Sequence, residues 1–203
     1  MIVQFSVGNF LSFKELSTLS LVATNLKETA IADADSMAEM DDAIPAILHG
    51  AAIYGANASG KSNFAKALST FKWLVINSMK ELQAGEALNV ESFMLNVKTA
   101  HEPSLFEMVF CHDAYIYRYG CEIDSKKVHK EWLYRRNNKK RAKEVELLFR
   151  EDSTYNVHPS CAIMRNLVTN KMVRDNALLV SVAAQFNDET AVSIVNWLTD
   201  TSV

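Results

Sequence analysis

The chain has 203 residues, of which 49% are hydrophobic and 22% are charged, and its formal net charge is −3. This composition is typical of one globular domain, and the slight negative charge means that any nucleic-acid or anionic-membrane contact would need a local basic site. Three cysteines without a Cys-x-x-Cys pair indicate neither a disulfide framework nor a zinc site. Neither a signal peptide nor the run of about 18 apolar residues that a membrane span needs is found, so we expect a cytoplasmic protein without a membrane partner.

The first 46 residues predict two strands and a long loop. Apolar and polar residues alternate from Ile2 to Val7, which predicts a half-buried edge strand, and Thr18 to Ala23 is predicted to be its antiparallel partner. Gly8 to Lys14, between them, is predicted to be a packed turn. Residues 25–46 carry six acids among alanines and methionines. This segment predicts a mobile, solvated acidic loop.

Residues 55–62 read GANASGKS and fit the P-loop pattern G-x-x-x-x-G-K-[ST] at every fixed position. The apolar stretch Ile47 to Tyr54 predicts a short strand that runs into this loop. An apolar stripe at steps of three and four residues predicts a helix from Lys61 to about Gln83, with the stripe in the core; its members are Phe64, Leu68, Phe71, Leu74 and Val75. A strand, a glycine loop and a helix start direct backbone N–H groups and the positive end of the helix dipole at one phosphate-sized cavity.

This arrangement predicts ATP and Mg²⁺ as cofactors. Lys61 would reach the β- and γ-phosphates, and the Ser62 hydroxyl would take one position on Mg²⁺. The predicted nucleotide-binding residues are Gly55, Ala56, Asn57, Ala58, Ser59, Gly60, Lys61, Ser62 and Asn63. GTP is excluded as the preferred nucleotide, because Val173 stands where the guanine-reading N-K-x-D pattern needs an aspartate and no D-x-x-G occurs.

The second half of the chain predicts an antiparallel meander followed by a strand and a helix. Short alternating runs separated by polar turns occupy residues 91–150; they are Ser92 to Leu95, Leu105 to Cys111, Tyr115 to Ile123, Val128 to Arg135 and Val145 to Arg150. Residues 176–185 predict an apolar strand. Asp188 is predicted to cap a final helix that runs through Leu198.

Four runs carry a resemblance to a known family; they are FSVGNFLSF at 5–13, the P-loop, YRYG to EWLYR at 117–135, and LVSVAAQFN at 179–187. Together they resemble the amino-terminal half of bacterial AAA-family ATPases. These enzymes are related to the ABC ATPases of the structural-maintenance-of-chromosomes, recombination-repair and overcoming-lysogenization-defect type, and several serve in abortive infection and anti-phage defence. The resemblance implies an α/β fold: an ABC-type head lobe with an antiparallel β insertion at 91–150 beside the P-loop strand and helix.

The resemblance also implies roles for single residues. Gln185 is similar to the catalytic glutamine that links Mg²⁺ and the attacking water to a second lobe, although it could equally end a buried strand and cap the next helix. The family commonly has a basic residue where this sequence has Leu11, so that the turn at 8–14 would offer the nucleotide only packing and backbone contacts.

Two motifs of the family are missing from these 203 residues. No two glycines adjoin, which excludes the S-G-G signature, and no run of four apolar residues precedes Asp-Glu, which excludes a Walker B strand. We therefore expect residues 1–203 to form a single P-loop domain that is incomplete at its carboxy terminus and poorly active alone. One interpretation is an ATPase that drives a defence or DNA-processing effector, as a homodimer or with a partner that supplies the carboxy-terminal lobe. The alternative is an ATP-sensing module without hydrolysis.

Residues 126–143 hold nine of the 21 basic residues of the chain and one acid, Glu131. Such a segment, with Trp132 and Tyr134 interleaved, could neutralise the phosphates of DNA or RNA. The other interpretation is a solvated hairpin end whose lysines protect an exposed sheet edge.

Overall fold

The computed structural model of the chain describes residues 1–23, 37–39, 46–139 and 141–201. Most of the predicted acidic loop, 25–46, therefore lies outside the described residues. Within it, Met37–Glu39 forms a strand, β3, where the sequence predicted a loop, because these residues pair antiparallel with Ala46–Leu48, β4. The two strands form a small separate sheet.

A seven-stranded antiparallel sheet dominates the fold. Its strands lie in the order β2-β1-β5-β6-β7-β8-β9. They are β1 Ile2–Gly8, β2 Ser17–Ser20, β5 Ser104–His112, β6 Tyr115–Ile123, β7 Val128–Asn137, β8 Val145–Glu151 and β9 Thr154–Val157. Four α-helices accompany the sheet in the described part of the chain: α1 Lys61–Asn77, α2 Ala162–Thr169, α3 Leu179–Gln185 and α4 Glu189–Asp200. This mixture confirms the α/β class.

The amino-terminal strand occupies an inner position of the sheet. β1 pairs with β2 on one side and with β5 on the other, so the prediction of an edge strand is wrong, whereas its antiparallel pairing with β2 is confirmed. Alternation along a strand shows which side chains face the core, but it carries no information on how many neighbours the strand has. The edge belongs to the four-residue strand β2.

The predicted meander is confirmed for four of its five runs, which form β5, β6, β7 and β8. The run Ser92 to Leu95 forms no strand and belongs to a loop that leads into β5. β9 was not predicted, because its four residues are too few to show a clear alternation. The meander strands join β1 in one sheet, so that the region predicted as an insertion is continuous with the amino-terminal strands.

Helix α1 begins at Lys61, as predicted, and ends at Asn77 rather than near Gln83. Its apolar stripe packs against the sheet, where the ring of Phe71 lies 6.0 Å from that of Phe5 and 6.3 Å from that of Phe106. Phe71, Leu74 and Val75 are fully buried. The prediction that this stripe belongs to the core is confirmed.

The apolar segment near the carboxy terminus is a helix, and the predicted strand at 176–185 is wrong. Leu179–Gln185 forms α3, whose first five residues are all buried. A short apolar run that is buried on every side lacks the periodicity that distinguishes strand from helix. The predicted cap of the last helix is confirmed, because the Asp188 carboxylate accepts a 3.1 Å hydrogen bond from the Ala191 N–H group at the start of α4.

The three cysteines, Cys111, Cys121 and Cys161, are buried free thiols, in agreement with the absence of a predicted disulfide. Burial raises the pKa of each of them. In the part of the chain that the structure describes, no helix combines the length and the apolar character that crossing a bilayer requires.

Candidate nucleotide-binding site

The strand before the P-loop is shorter than the sequence predicts. β4 ends at Leu48, whose N–H group donates a 2.8 Å hydrogen bond to the Leu21 carbonyl. Residues 49–54 are exposed and form no strand. The predicted strand from Ile47 to Tyr54 is therefore wrong beyond Leu48, because the remaining residues have no strand partner among the described residues.

The P-loop itself has the backbone that its glycines predict. Gly60 adopts a φ of 94° directly before α1, and Ala58 adopts a φ of 62°. A Cβ atom on Gly55 would lie 2.7 Å from the Ser59 hydroxyl oxygen, and one on Gly60 would lie 2.9 Å from the Ser12 hydroxyl oxygen. The loop is thus so tight at both glycines that a side chain would fill it or displace a neighbour.

The start of α1 offers unpaired donors to an anion. Gly60 caps the helix without a side-chain hydrogen bond, and the first backbone bond of this turn runs from the Phe64 N–H group to the Gly60 carbonyl, at 3.0 Å. Within the described residues, the N–H groups of Lys61, Ser62 and Asn63 have no acceptor. Such groups at the positive end of a helix dipole bind phosphate. The residues present therefore fit the phosphate chain of a nucleotide.

The Lys61 side chain folds back over the loop. Its ammonium group donates hydrogen bonds of 2.7 Å to the carbonyls of both Gly55 and Ala56 and a longer one, at 3.4 Å, to the Ser59 hydroxyl. The positive charge thus lies on the loop, beside the unpaired N–H groups. The neighbouring Ser62 is exposed at the helix start, as a metal ligand would have to be.

The turn at 8–14 packs against the P-loop. The Ser12 hydroxyl accepts a 2.9 Å hydrogen bond from the Asn63 amide, and the Leu11 N–H group donates one of 3.0 Å to the Glu91 carbonyl. Phe10, Leu11 and Ser62 line the same open groove of about 710 Å³. The packed turn that the sequence predicts is confirmed, and it lies beside the predicted nucleotide site.

The structure does not bring Gln185 to this site. It is the exposed last residue of α3, and α3 begins beside the carboxy-terminal end of α1, where the Leu178 N–H group donates a 3.3 Å hydrogen bond to the Ser78 hydroxyl. The P-loop lies at the other end of α1, which has 17 residues and a length of about 25 Å. None of the described hydrogen bonds joins Gln185 to Ser62. A role for Gln185 at Mg²⁺ stays a prediction. The alternative, in which Gln185 ends a buried strand, is wrong, because these residues form α3.

The described basic residues of 126–143 do not form one patch. They extend from one end of β7 to beyond the other, and ten residues of strand span about 33 Å. At the first end, Lys127 pairs with Asp152 at 2.5 Å and Lys130 pairs with Glu122 at 3.3 Å. At the other end, the Arg135 guanidinium lies 4.5 Å from the centre of the Tyr115 ring. This distribution fits the hairpin interpretation, and a nucleic-acid partner stays a prediction.

One buried carboxylate, that of Glu131, has a structural role that the sequence did not predict. Glu131 accepts hydrogen bonds from the N–H groups of Leu179 and Val180, at 2.7 and 3.1 Å, and from the Tyr119 hydroxyl, at 2.9 Å. Burial raises its pKa, against the opposing effects of Arg150, which faces it across β7 and β8, and of these hydrogen bonds. Glu131 thereby joins the sheet to the start of α3. A single acid among the basic and apolar residues of β7 was the available signal.

Arg150 supports the same junction from β8. Its guanidinium donates hydrogen bonds to the carbonyls of Ala177, at 2.8 Å, and Asp175, at 3.3 Å, just before α3 begins. It lies 5.2 Å from the centre of the Tyr155 ring. Glu131 and Arg150 thus hold the start of α3 against the sheet.

A protein-family model described as "AAA domain, putative AbiEii toxin, Type IV TA system" matches residues 51–163, more than half of the chain. The matched range begins just before the P-loop and extends through α1 and the meander to the first turn of α2. No curated protein and no solved structure gives a significant match.

Proposed function

Because the chain belongs to this family of AAA domains, we propose that it is a P-loop nucleotide-binding protein with ATPase function that takes Mg-ATP at residues 55–63. The observation that carries the proposal is the start of α1, where three unpaired N–H groups lie beside the Lys61 ammonium group. The GANASGKS motif and the family match agree with this position of the site.

Each residue of the loop has a separate task in this proposal. The N–H groups of Lys61, Ser62 and Asn63 donate hydrogen bonds to phosphate oxygens, and the Ser62 hydroxyl supplies one ligand to Mg²⁺, which neutralises phosphate charge. Lys61 exchanges the carbonyls of Gly55 and Ala56 for phosphate oxygens. Since these carbonyls hold it at the mouth of the loop, its charge is already positioned before nucleotide arrives.

We assign the chain to the ABC-type class, related to structural-maintenance-of-chromosomes ATPases, in which a second protomer or a partner chain completes the site. The support is the resemblance of four sequence runs together with the absence of a Walker B carboxylate and a signature loop from these 203 residues. Hydrolysis would then depend on the completed assembly and would drive a defence or DNA-processing effector.

The second candidate is an ATP sensor without turnover. It is favoured by the same missing carboxylate, because nothing at the described P-loop orients a hydrolytic water. The two functions share one binding site and differ only in phosphate release.

The binding step is tested by titrating fluorescent ATP analogues into the wild type and the Lys61→Ala variant with Mg²⁺ present. We expect the variant to remain folded and to lose affinity by more than about tenfold, since a charge in contact with phosphate is removed. Lys80→Ala is the matched control, because it removes the same charge from an exposed position past the other end of α1. Unchanged affinity in a folded Lys61→Ala variant would disprove the site.

The Ser62→Ala variant distinguishes binding of the metal from binding of the phosphates. Its affinity should fall when Mg²⁺ is present and should match the wild type in EDTA, because the change removes a metal ligand and no N–H group. An equal loss in both buffers would show that the hydroxyl is structural.

Phosphate release distinguishes the ATPase from the sensor. The isolated chain should release phosphate at a negligible rate, and a carboxy-terminal partner that supplies the missing motifs should raise the rate cooperatively with ATP. Robust turnover by the isolated chain, abolished by Lys61→Ala, would contradict the proposal that a second chain completes the site. If the complete assembly also released no phosphate, the ATP sensor would be the remaining function.

A further inference from the structure

The open groove beside Ser62 runs along helix α1, away from the P-loop, and we call it the α1 groove. It is lined by Ser62, Lys66 and Ser69 of the helix, and Ser69 lies about 10 Å along the helix axis from Ser62. A second groove, of about 450 Å³, shares Ser69 and Thr70 with it and extends it to Trp73. The α1 groove has a volume of about 710 Å³, within the range of about 300–1,000 Å³ that small-ligand sites have.

A second segment of the chain lines the α1 groove with Asn89 and Glu91. Burial alternates here, because Leu88 and Val90 are buried in the core whereas Asn89 and Glu91 are exposed. The Glu91 carbonyl accepts a 3.0 Å hydrogen bond from the Leu11 N–H group, which belongs to the turn that packs on the P-loop. The backbone of Glu91 is therefore fixed relative to the phosphate site, and its side chain is free to contact a ligand.

Glu91 supplies the one carboxylate among the described residues that line the α1 groove. No ion pair in the described part of the chain includes Glu91, although Lys66 lines the same groove. A carboxylate beside a phosphate site repels the nucleotide unless it accepts hydrogen bonds from donors of that nucleotide. The hydroxyl groups of the ribose are such donors, and a carboxylate has enough acceptor positions for both of them.

The polar groups follow one another along the α1 groove in the order of the parts of a nucleotide. Glu91 lines the α1 groove together with Ser62 and does not line the second groove, which Asn89 lines beside Trp73. Glu91 thus lies nearer to the P-loop, and Asn89 lies further along α1. In a nucleotide the ribose follows the phosphates and the base follows the ribose. The amide of Asn89 combines a donor and an acceptor, which suits the edge of adenine.

We propose that the α1 groove holds the nucleoside and that Glu91 selects ribonucleotides over deoxyribonucleotides by accepting hydrogen bonds from the ribose hydroxyls. Asn89 then lies beside the base. The inference rests on the proposed function, since it requires the phosphates to lie at the start of α1. A 2′-deoxynucleotide lacks one of the two donors, so that its sugar leaves the repulsion between Glu91 and the phosphates less compensated.

The test compares the affinities for ATP and 2′-deoxy-ATP, with Mg²⁺ present, in the wild type and in single variants. The wild type should bind ATP about tenfold more tightly, because a hydrogen bond to a charged group is lost with 2′-deoxy-ATP. Glu91→Ala should bring the ratio of the two affinities close to one. Asn89→Ala should weaken both nucleotides equally and keep the ratio. Glu81→Ala is the matched control, because it removes the same charge from an exposed position past the other end of α1, and it should keep both affinities.

The same titrations in EDTA distinguish a contact with the sugar from a contact with the metal. A ribose contact needs no metal, so the preference for ATP and its loss in Glu91→Ala should both persist in EDTA. If Glu91→Ala weakened ATP and 2′-deoxy-ATP equally, and only with Mg²⁺ present, Glu91 would be a metal ligand and the proposal would be overturned.

Failure of this proposal and failure of the proposed function give different results. A wild type that binds ATP and 2′-deoxy-ATP equally, with both affinities lost in Lys61→Ala, would overturn the role of Glu91 and leave the P-loop site intact. A wild type that binds neither nucleotide would contradict both. Circular dichroism checks folding, and Glu91→Gln, which removes the charge and keeps the side-chain shape, replaces Glu91→Ala if that variant does not fold; it should also lower the ratio.

Discussion

Gly120 lies in the middle of the main sheet where no side chain fits. A Cβ atom there would lie 2.5 Å from Cζ2 of Trp132 and 2.6 Å from the Phe106 carbonyl oxygen. The Trp132 ring cannot shift freely, because its indole N–H group donates a 2.7 Å hydrogen bond to the Glu107 carboxylate on β5. Gly120→Ala must therefore distort the sheet or break this bond.

The cost follows from these contacts. Overpacking a core by one methyl group costs about 1–3 kcal/mol. A hydrogen bond to a charged group is worth about 1.5–3 kcal/mol, and loss of glycine flexibility in the unfolded chain returns about 0.4–1 kcal/mol. We expect Gly120→Ala to lower the free energy of unfolding by about 2–4 kcal/mol.

The assay is equilibrium unfolding in urea, followed by circular dichroism and tryptophan fluorescence. Gly50→Ala is the matched control, because a Cβ atom at Gly50 has no neighbour within 4 Å and its φ is not positive; it should change stability by less than about 0.5 kcal/mol. In a Trp132→Leu background, Gly120→Ala should cost less, since one of its two close contacts is removed. Equal effects of the two glycine substitutions would refute the reasoning.

Glu131→Gln should lower the free energy of unfolding by about 1–3 kcal/mol in the same assay, because one amide oxygen cannot accept hydrogen bonds from both Leu179 and Val180 as the two carboxylate oxygens do. Glu151→Gln is the control, because Glu151 is exposed. Equal losses of stability in the two variants would contradict the role of Glu131. Asp124 has a lowered pKa, because the His129 hydrogen bond and two backbone N–H groups outweigh the raising effect of its burial. Its stabilising contribution is present above the unfolded value of 3.8 and is lost as the pH falls through the lower folded value, so Asp124→Asn should reduce the loss of stability in acid. If the free energy of unfolding fell with acid pH in Asp124→Asn as much as in the wild type, this role of Asp124 would be contradicted. Charge reversal at Arg136 and Lys139 tests the nucleic-acid alternative. If this segment binds nucleic acid, the variant should bind more weakly and its affinity should depend less on salt concentration. If the wild type binds no nucleic acid at low salt, only the hairpin interpretation remains.

Patterns of neighbouring residues predicted the elements whose formation depends on interactions between residues close in the chain. The P-loop and the start of α1 follow from Gly60 and the apolar stripe of the helix, and the cap of α4 follows from Asp188. The alternating runs of β5 to β8 were visible because each of these strands has one buried face. Such features depend on residues within one or two turns of chain, which is why they could be predicted from the sequence.

Contacts between distant residues decided what the patterns could not. The start of α3 is held by the Glu131 carboxylate, 48 positions before Leu179, which accepts hydrogen bonds from two N–H groups of the first turn. The length of β4 depends on partners for its backbone, and these end at Leu48.

The sequence by itself determined the class of the fold, the phosphate-binding loop and the family resemblance. Only the tertiary structure placed Ser12 of the amino-terminal turn against Asn63, divided the basic segment between the two ends of β7, and showed that α3 begins at the end of α1 remote from the P-loop. The physical reason is that hydrogen-bond partners and exposed surfaces are set by which elements pack together, and a local pattern of residues does not encode that choice.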